Sequence, residues 1–321
     1  QKLAAASVPV IPLKGLYLSE KVYGNIALRP MSDIDLMVPR QQVEQAAAAL
    51  QGLGFQAILP PDLPADLARL HSLPFADTNN FMLDLHWQLI PPESGLGLDT
   101  PWIWNNARSD TVAGASVQVL TPEALLLHLG VHFTLMHGVV SRLFHICDLD
   151  QVLTTFQEQL DWQLVLEQAR RNGLAKTTFL ALSAAQAVFA SPLDPSVFRA
   201  LAPADYEPRY LEGLLDQVFR GVEFSTYLAE FWAPNPPAKR LRLFFERVFE
   251  PPYKLRQRYP RLARGVGLPL AYLWRLGDVA VRQTPVAWKL LRKDPQAQNS
   301  ARQIQQIVDL AQWLKDESAS G

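Results

Sequence analysis

The chain has 321 residues, 49% hydrophobic and 19% charged, enough to bury a sizeable core, and its length suggests about two domains. Lys and Arg number 30 against 31 Asp and Glu, and the net charge of −1 excludes a globally basic nucleic-acid binder while leaving room for a local patch. The single cysteine, Cys147, excludes an intrachain disulfide and points to a reducing, cytoplasmic setting, and no run approaches membrane-spanning length.

The chain starts at Gln1 within an apparent helix over Lys2–Ala6, so an N-terminally truncated first domain is expected. Val8 to Leu18 then reads as an apolar strand, a Lys14-Gly15 turn and a helix, an order that lets phosphate approach backbone N–H groups at the glycine. In Arg29-Pro30-Met31-Ser32-Asp33-Ile34-Asp35-Leu36-Met37-Val38, strand alternation places Asp33 and Asp35 on one face and Ile34, Leu36 and Val38 on the other. Two carboxylates so close repel each other unless a cation lies between them, and a divalent metal, Mg²⁺ or Mn²⁺, suits such hard oxygen donors. Gln41 to Leu53 reads as a helix stopped by Gly52 and Gly54. Phe55–Leu59 and Asn80–Leu89 read as strands around a Pro-rich, helical excursion from Pro60 to Pro74. In the second of these strands Asp84, His86 and Gln88 share a face. If it lies beside the first, Asp33, Asp35 and Asp84 converge as the ligand set for one or two metal ions on a nucleoside triphosphate. Pro91 to Trp104 reads as loop and Ser116 to Leu120 as a last short strand.

Thr121-Pro122-Glu123 has the form of a helix start, with a capping hydroxyl, Pro at the first position and an acid in the first turn. The domain boundary is placed here, at residues 120 and 121. Leu125, Leu126, Leu129, Phe133 and Met136 form an apolar stripe that His128, His132 and His137 interrupt. His128 and His132 are at a spacing compatible with zinc, but without acidic or cysteine partners nearby they read as core or interdomain histidines. Further helices are expected from Asp161 toward Gly173 and over Ala175–Phe189. From Lys239 to Lys293 basic residues outnumber acidic ones and alternate with aromatics. That segment is either a surface for a polyanion such as RNA or an amphipathic bundle with solvated arginines. An amphipathic helix with Ile304, Ile307, Leu310 and Leu314 ends the chain.

Ile11-Pro12-Leu13-Lys14-Gly15, Tyr23-Gly24, Leu28 to Val38 and Leu83-Asp84-Leu85-His86-Trp87 together resemble the bacterial "uncharacterised nucleotidyltransferase" family of the polymerase-β type superfamily. The resemblance extends with decreasing specificity to about Leu276, and that family is often encoded beside peptide or polysaccharide biosynthesis genes. It implies an α+β fold: a small mixed β-sheet nucleotidyltransferase core over 1–120 and a larger, mainly helical domain over 121–321 that forms the other cleft wall and holds the basic segment 239–293. It implies transfer of NMP from an NTP to a hydroxyl acceptor, with Asp33, Asp35 and Asp84 as catalytic metal ligands for Mg²⁺ or Mn²⁺. Lys14, Gly15, Arg29, Ser32 and His86 are the candidate nucleotide-site residues. Arg29 and Lys14 suit β- and γ-phosphate charge, and His86 either orients Asp84, contacts the acceptor or is a buried hydrogen-bonded histidine. His132, Arg142 and Asp148 are further candidates to line the cleft. A small molecule or peptide is the expected acceptor. A toxin- or defence-type enzyme acting on tRNA or protein is the alternative. A non-catalytic nucleotide-binding or scaffold module is the alternative of another class, since Lys14-Gly15-Leu16 stands where the superfamily has Gly-Ser.

Overall fold

A computed structural model describes residues 1–58, 63–136, 143–220, 245, 249, 255, 259, 267–278 and 295–316. The chain divides into two compact units, one of residues 1–219 with 311–321 and one of residues 220–310. Among the described residues no helix is long and apolar enough to cross a membrane.

The first unit is α+β. A short helix α1 (Lys2–Ala5) leads to β1 (Ile11–Pro12), then to a helical turn α2 (Gly15–Tyr17) that continues as a π-helical turn over Leu18–Val22. Next come β2 (Asp33–Met37), α3 (Val43–Gln51), β3 (Gln56–Ala57), α4 (Leu63–Arg69), β4 (Ser72–Ala76) and β5 (Met82–His86). The five strands form one mixed sheet in the order β1-β2-β5-β4-β3. At its centre β2 and β5 run parallel, with Asp33 opposite Met82, Asp35 opposite Asp84 and Met37 opposite His86. The other pairings are antiparallel.

Alternation determines what each face does. Ile34, Leu36, Leu83 and Leu85 point to the back, into a core that contains Leu3, Val43, Ala46, Leu50, Phe75 and Trp87. The front keeps Asp35, Asp84, His86 and Ser72, and is covered by helices further along the chain.

Two segments depart from the sequence reading. The stretch expected as a Pro-rich excursion to Pro74 contains α4 but then becomes β4, the strand that joins β5 to β3. Pro74 concealed it, because proline argues against a strand interior. The loop expected over 91–104 contains α5 (Thr100–Asn106), whose cap is Asp99, with its Oδ1 accepting from Trp102 N at 3.1 Å. A hairpin of β6 (Arg108–Val112) and β7 (Ala115–Val119) follows and is tied to the segment before β1 by Gln118 N donating to Val10 O.

The helical part starts where expected. α6 (Pro122–Val131) is capped by Thr121, whose hydroxyl oxygen accepts from Ala124 N, and every residue of α6 is buried. It leads into a π-helical turn over His132–Met136. α7 (Leu143–Thr155), α8 (Trp162–Arg171) and α9 (Ala175–Phe189) pack with it, and α10 (Pro195–Leu201) and α11 (Pro208–Arg220) follow. Residue 120 thus falls between a β-rich and a helical part of one compact unit. α12 (Pro295–Lys315) ends with Trp313 stacked on Tyr210 and Lys176 Nζ lying 5.0 Å from the Trp313 ring. In the second unit Leu255 and Ala271 are buried, and the Tyr259 hydroxyl donates to Asp278. The basic segment 239–293 lies largely outside the described residues.

Candidate active site

The front of the sheet faces a pocket of about 520 Å³, walled on the sheet side by Lys14, Asp33, Asp35 and Asp84 and on the helical side by His132 and Phe144. A second cavity of about 560 Å³ lies at the back of the sheet, lined by residues such as Ile34, Leu36, Leu83 and Val117. It is lined mainly by apolar side chains and contains none of the carboxylates, so the front pocket is the candidate site.

The parallel register of β2 and β5 brings Asp35 beside Asp84. His86, two residues beyond Asp84 and so on the same face, puts Nε2 3.0 Å from Asp35 Oδ1 and 3.3 Å from Asp84 Oδ2. Among the described residues Asp35, Asp84 and His86 form a group whose ligand atoms lie within 4.8 Å of one another. Asp33 is on the same face and at the pocket but is exposed, and it lies outside that group; its Oδ1 accepts from the Ser32 hydroxyl at 3.0 Å. Among the three expected carboxylates, the fold therefore pairs Asp35 with Asp84 and leaves Asp33 at the rim.

Lys14 completes the group. Its Nζ lies 3.0 Å from Asp35 Oδ2 and donates to His132 Nε2 at 2.9 Å. Lys14 occupies the left-handed backbone region, with φ of 41°, a conformation that costs a non-glycine residue energy and that here aims the ammonium at the carboxylate. Gly15 has a different role from the one its turn position suggests. A Cβ there would lie 2.9 Å from Arg29 Nη1 and 3.1 Å from Met31 Cβ, so glycine makes room for those side chains.

Burial alone would raise the Asp35 carboxyl, but the His86 hydrogen bond and the Lys14 charge outweigh it and hold Asp35 well below the usual carboxylate range. Asp84 is pushed the same way, burial again being outweighed by His86 and then by Ser72, whose hydroxyl donates to Oδ2 at 3.0 Å. Burial disfavours the charged form of His86, yet its bonds to Asp35 and Asp84 raise it to about 9. At neutral pH the trio of Asp35, Asp84 and His86 is therefore two carboxylates and an imidazolium, with the Lys14 side chain against Asp35. Two of its buried atoms, Asp84 Oδ1 and His86 Nδ1, have no hydrogen-bond partner.

Arg29 sits beside this group with its guanidinium already engaged. Nη2 donates to Asp148 Oδ2 at 2.8 Å and Nε to Oδ1 at 3.3 Å, while Phe144 lies 5.1 Å from the guanidinium carbon. Asp148 Oδ1 also accepts from the Tyr23 hydroxyl at 2.9 Å. Of the further cleft candidates, His132 lines the pocket, Asp148 is buried behind it holding Arg29, and Arg142 lies outside the described residues. His71, at the head of β4, also lines the pocket and went unread because its strand did. His145 on α7 joins it there, and alternating polarity at Ser72 and Asp84 is the signal that marks that wall.

The family model described as "uncharacterised nucleotidyltransferase" matches residues 1–190. No curated protein matches the chain. Among solved structures, the solution structure of the antibiotic-resistance factor ANT(2'')-Ia is similar with a TM-score of 0.35 and 16% identity, over 59% of this chain and 90% of that one. The crystal structure of ANT(2'')-Ia in complex with adenylyl-2''-tobramycin gives a TM-score of 0.38 and 16% identity, over 53% of this chain and 92% of that one.

Proposed function

The chain belongs to the uncharacterised nucleotidyltransferase family, and from that premise we propose that it transfers NMP from an NTP to a hydroxyl acceptor in the front pocket, releasing pyrophosphate. The observation that carries this reading is the Asp35–Asp84–His86 group, placed by parallel register in a pocket of about 520 Å³ and holding a buried carboxylate oxygen without a partner. The paired carboxylates, with Asp84 Oδ1 free of any partner, fit a hard divalent cation, Mg²⁺ or Mn²⁺, that Asp35 and Asp84 would hold, with Asp33 at the rim. Bound there, the ion would neutralise triphosphate charge and polarise the α-phosphate.

The chain's own groups supply the rest. Lys14 sets a positive charge at the floor of the pocket while keeping Asp35 ionised. His86 lies between Asp35 and Asp84 and keeps their negative charge from driving them apart. Arg29, with Asp148, positions the segment that carries Ser32 and Asp33. In this reading residues 1–120 form the catalytic part and the helices after 121 the facing wall. The enzyme is cytoplasmic, and its acceptor is a small molecule or peptide in preference to tRNA.

Incubating the protein with each α-labelled NTP, Mg²⁺ or Mn²⁺ and native cell extract tests the proposal. Label enters an acceptor and pyrophosphate is released in equal amount, and Asp84→Asn abolishes both. Near-normal transfer by Asp84→Asn overturns the assignment. Should the labelled acceptor prove to be tRNA, with binding that weakens steeply as salt rises from about 50 to 200 mM, the small-acceptor reading falls.

A further inference from the structure

The reaction above leaves His71, a side chain of the front pocket, without a task. His71 is half-buried and lines the pocket, and among the described residues its ring nitrogens have no hydrogen-bond partner. Its neighbours are committed. Asp35 lies between Lys14 and His86, Asp84 Oδ2 takes Ser72 and His86, and Arg29 is held by Asp148.

The backbone fixes where His71 stands. Its carbonyl accepts from Trp87 N at 2.9 Å and Gln88 N at 3.3 Å, and the next residue, Ser72, pairs with His86 in the sheet. The ring meets His86 edge-on, with centroids 5.4 Å apart and planes at 64°. An imidazole on a rigid strand end, beside the paired carboxylates and open to the pocket, is preorganised for a ligand.

An imidazole ring nitrogen without a partner, at the pocket beside the paired carboxylates, matches a hydroxyl group, which has a proton to donate and oxygen lone pairs left for attack. Resting on the nucleotidyl-transfer reading, we infer that His71 is the catalytic residue that receives the acceptor, and that the acceptor is an alcohol whose O–H donates to the His71 ring. In the transfer step the alcohol oxygen forms a bond to the α-phosphorus and the bond from that phosphorus to the pyrophosphate oxygen breaks. The hydroxyl proton passes along the hydrogen bond to His71, and pyrophosphate carries away the electron pair of the broken bond.

The test uses the full chain with each of the four α-labelled NTPs and Mg²⁺, with glycerol as a simple alcohol probe and water as the background acceptor. The wild type forms glyceryl-NMP. His71→Ala binds the NTP as the wild type does but loses about 100-fold in turnover, and free imidazole restores part of it. His71→Gln, which keeps an accepting oxygen, retains alcohol binding and loses turnover. Wild-type turnover in His71→Ala, a loss of NTP affinity that accounts for the lost turnover, or failure of imidazole to rescue overturns the inference and leaves the transfer reading standing. A wild type that releases no pyrophosphate from any of the four NTPs overturns the transfer reading itself.

Discussion

Two buried charge groups lie against the same pocket and are built in opposite ways. Lys14, Asp35, His86 and Asp84 open into it and leave Asp84 Oδ1 and His86 Nδ1 without partners. Arg29, Asp148 and Tyr23 close on one another: both oxygens of Asp148 are taken, and Phe144 covers the guanidinium. A closed group spends its bonding capacity on holding α7 to the segment before β2, whereas an open one retains capacity for a ligand. The difference separates a group with bonding capacity left for a ligand from a closed one, even though both contain a basic residue that the sequence offered for phosphate.

The largest effect should come from removing the centre of the open group. Viewed only as a strand position, Asp35→Asn is an isosteric change that the fold tolerates. Between Lys14 and His86, however, it leaves two buried cations short of a counter-charge, and loss of one partner from a buried ion pair costs about 3–5 kcal/mol. Asp35→Ala should therefore lower stability by that order in denaturant titration and also abolish NMP transfer. An Asp35→Ala protein with wild-type stability would mean that the open group carries no net charge coupling.

Arg29→Ala should come next. It strands Asp148, which is 1% exposed, and a loss of roughly 3 kcal/mol is expected. Arg29→Ala with Asp148→Ala should recover much of this, because the pair is removed together, and a double-mutant cycle measures the coupling. If the double variant regains stability and activity alike, Arg29 is scaffold. Restored stability with transfer still lost would move Arg29 into phosphate contact and break the comparison.

The smallest effect is a pH dependence centred on His86 in the open group. His86 rises from 6.5 to about 9, so its stabilising contribution is full below pH 6.5 and is lost as pH rises through 9. Asp35 and Asp84 are lowered from 3.8, so theirs is present above that value and is lost as pH falls below it. His71 and His128 are lowered from 6.5 and lose their contribution as pH falls below it, so Tm should fall on the acid side of that value, and it should decline on the alkaline side as pH rises toward 9, a limb that His86→Gln should flatten. An alkaline limb unchanged in His86→Gln would assign it to another group.

Period-two alternation around Asp33, Asp35, Asp84 and His86 was enough to orient both central strands, since which face a side chain takes is decided by its own backbone. The Thr121 cap of α6, the Asp161 cap of α8 and the span of α9 were legible for the same local reason. Other features depend on residues far apart in the chain. Asp33 and Asp35 look equivalent in the sequence, yet the depth of β2 in the sheet buries one and exposes the other. Lys14 and Arg29 look like equivalent phosphate ligands, yet α7 supplies Asp148 to one and the floor of the pocket supplies Asp35 to the other. Local pattern determined which residues bear charge on the front of the sheet. Only tertiary packing decided which charges are satisfied and which face the pocket, because a buried charge takes its partner from whichever element the fold lays against it.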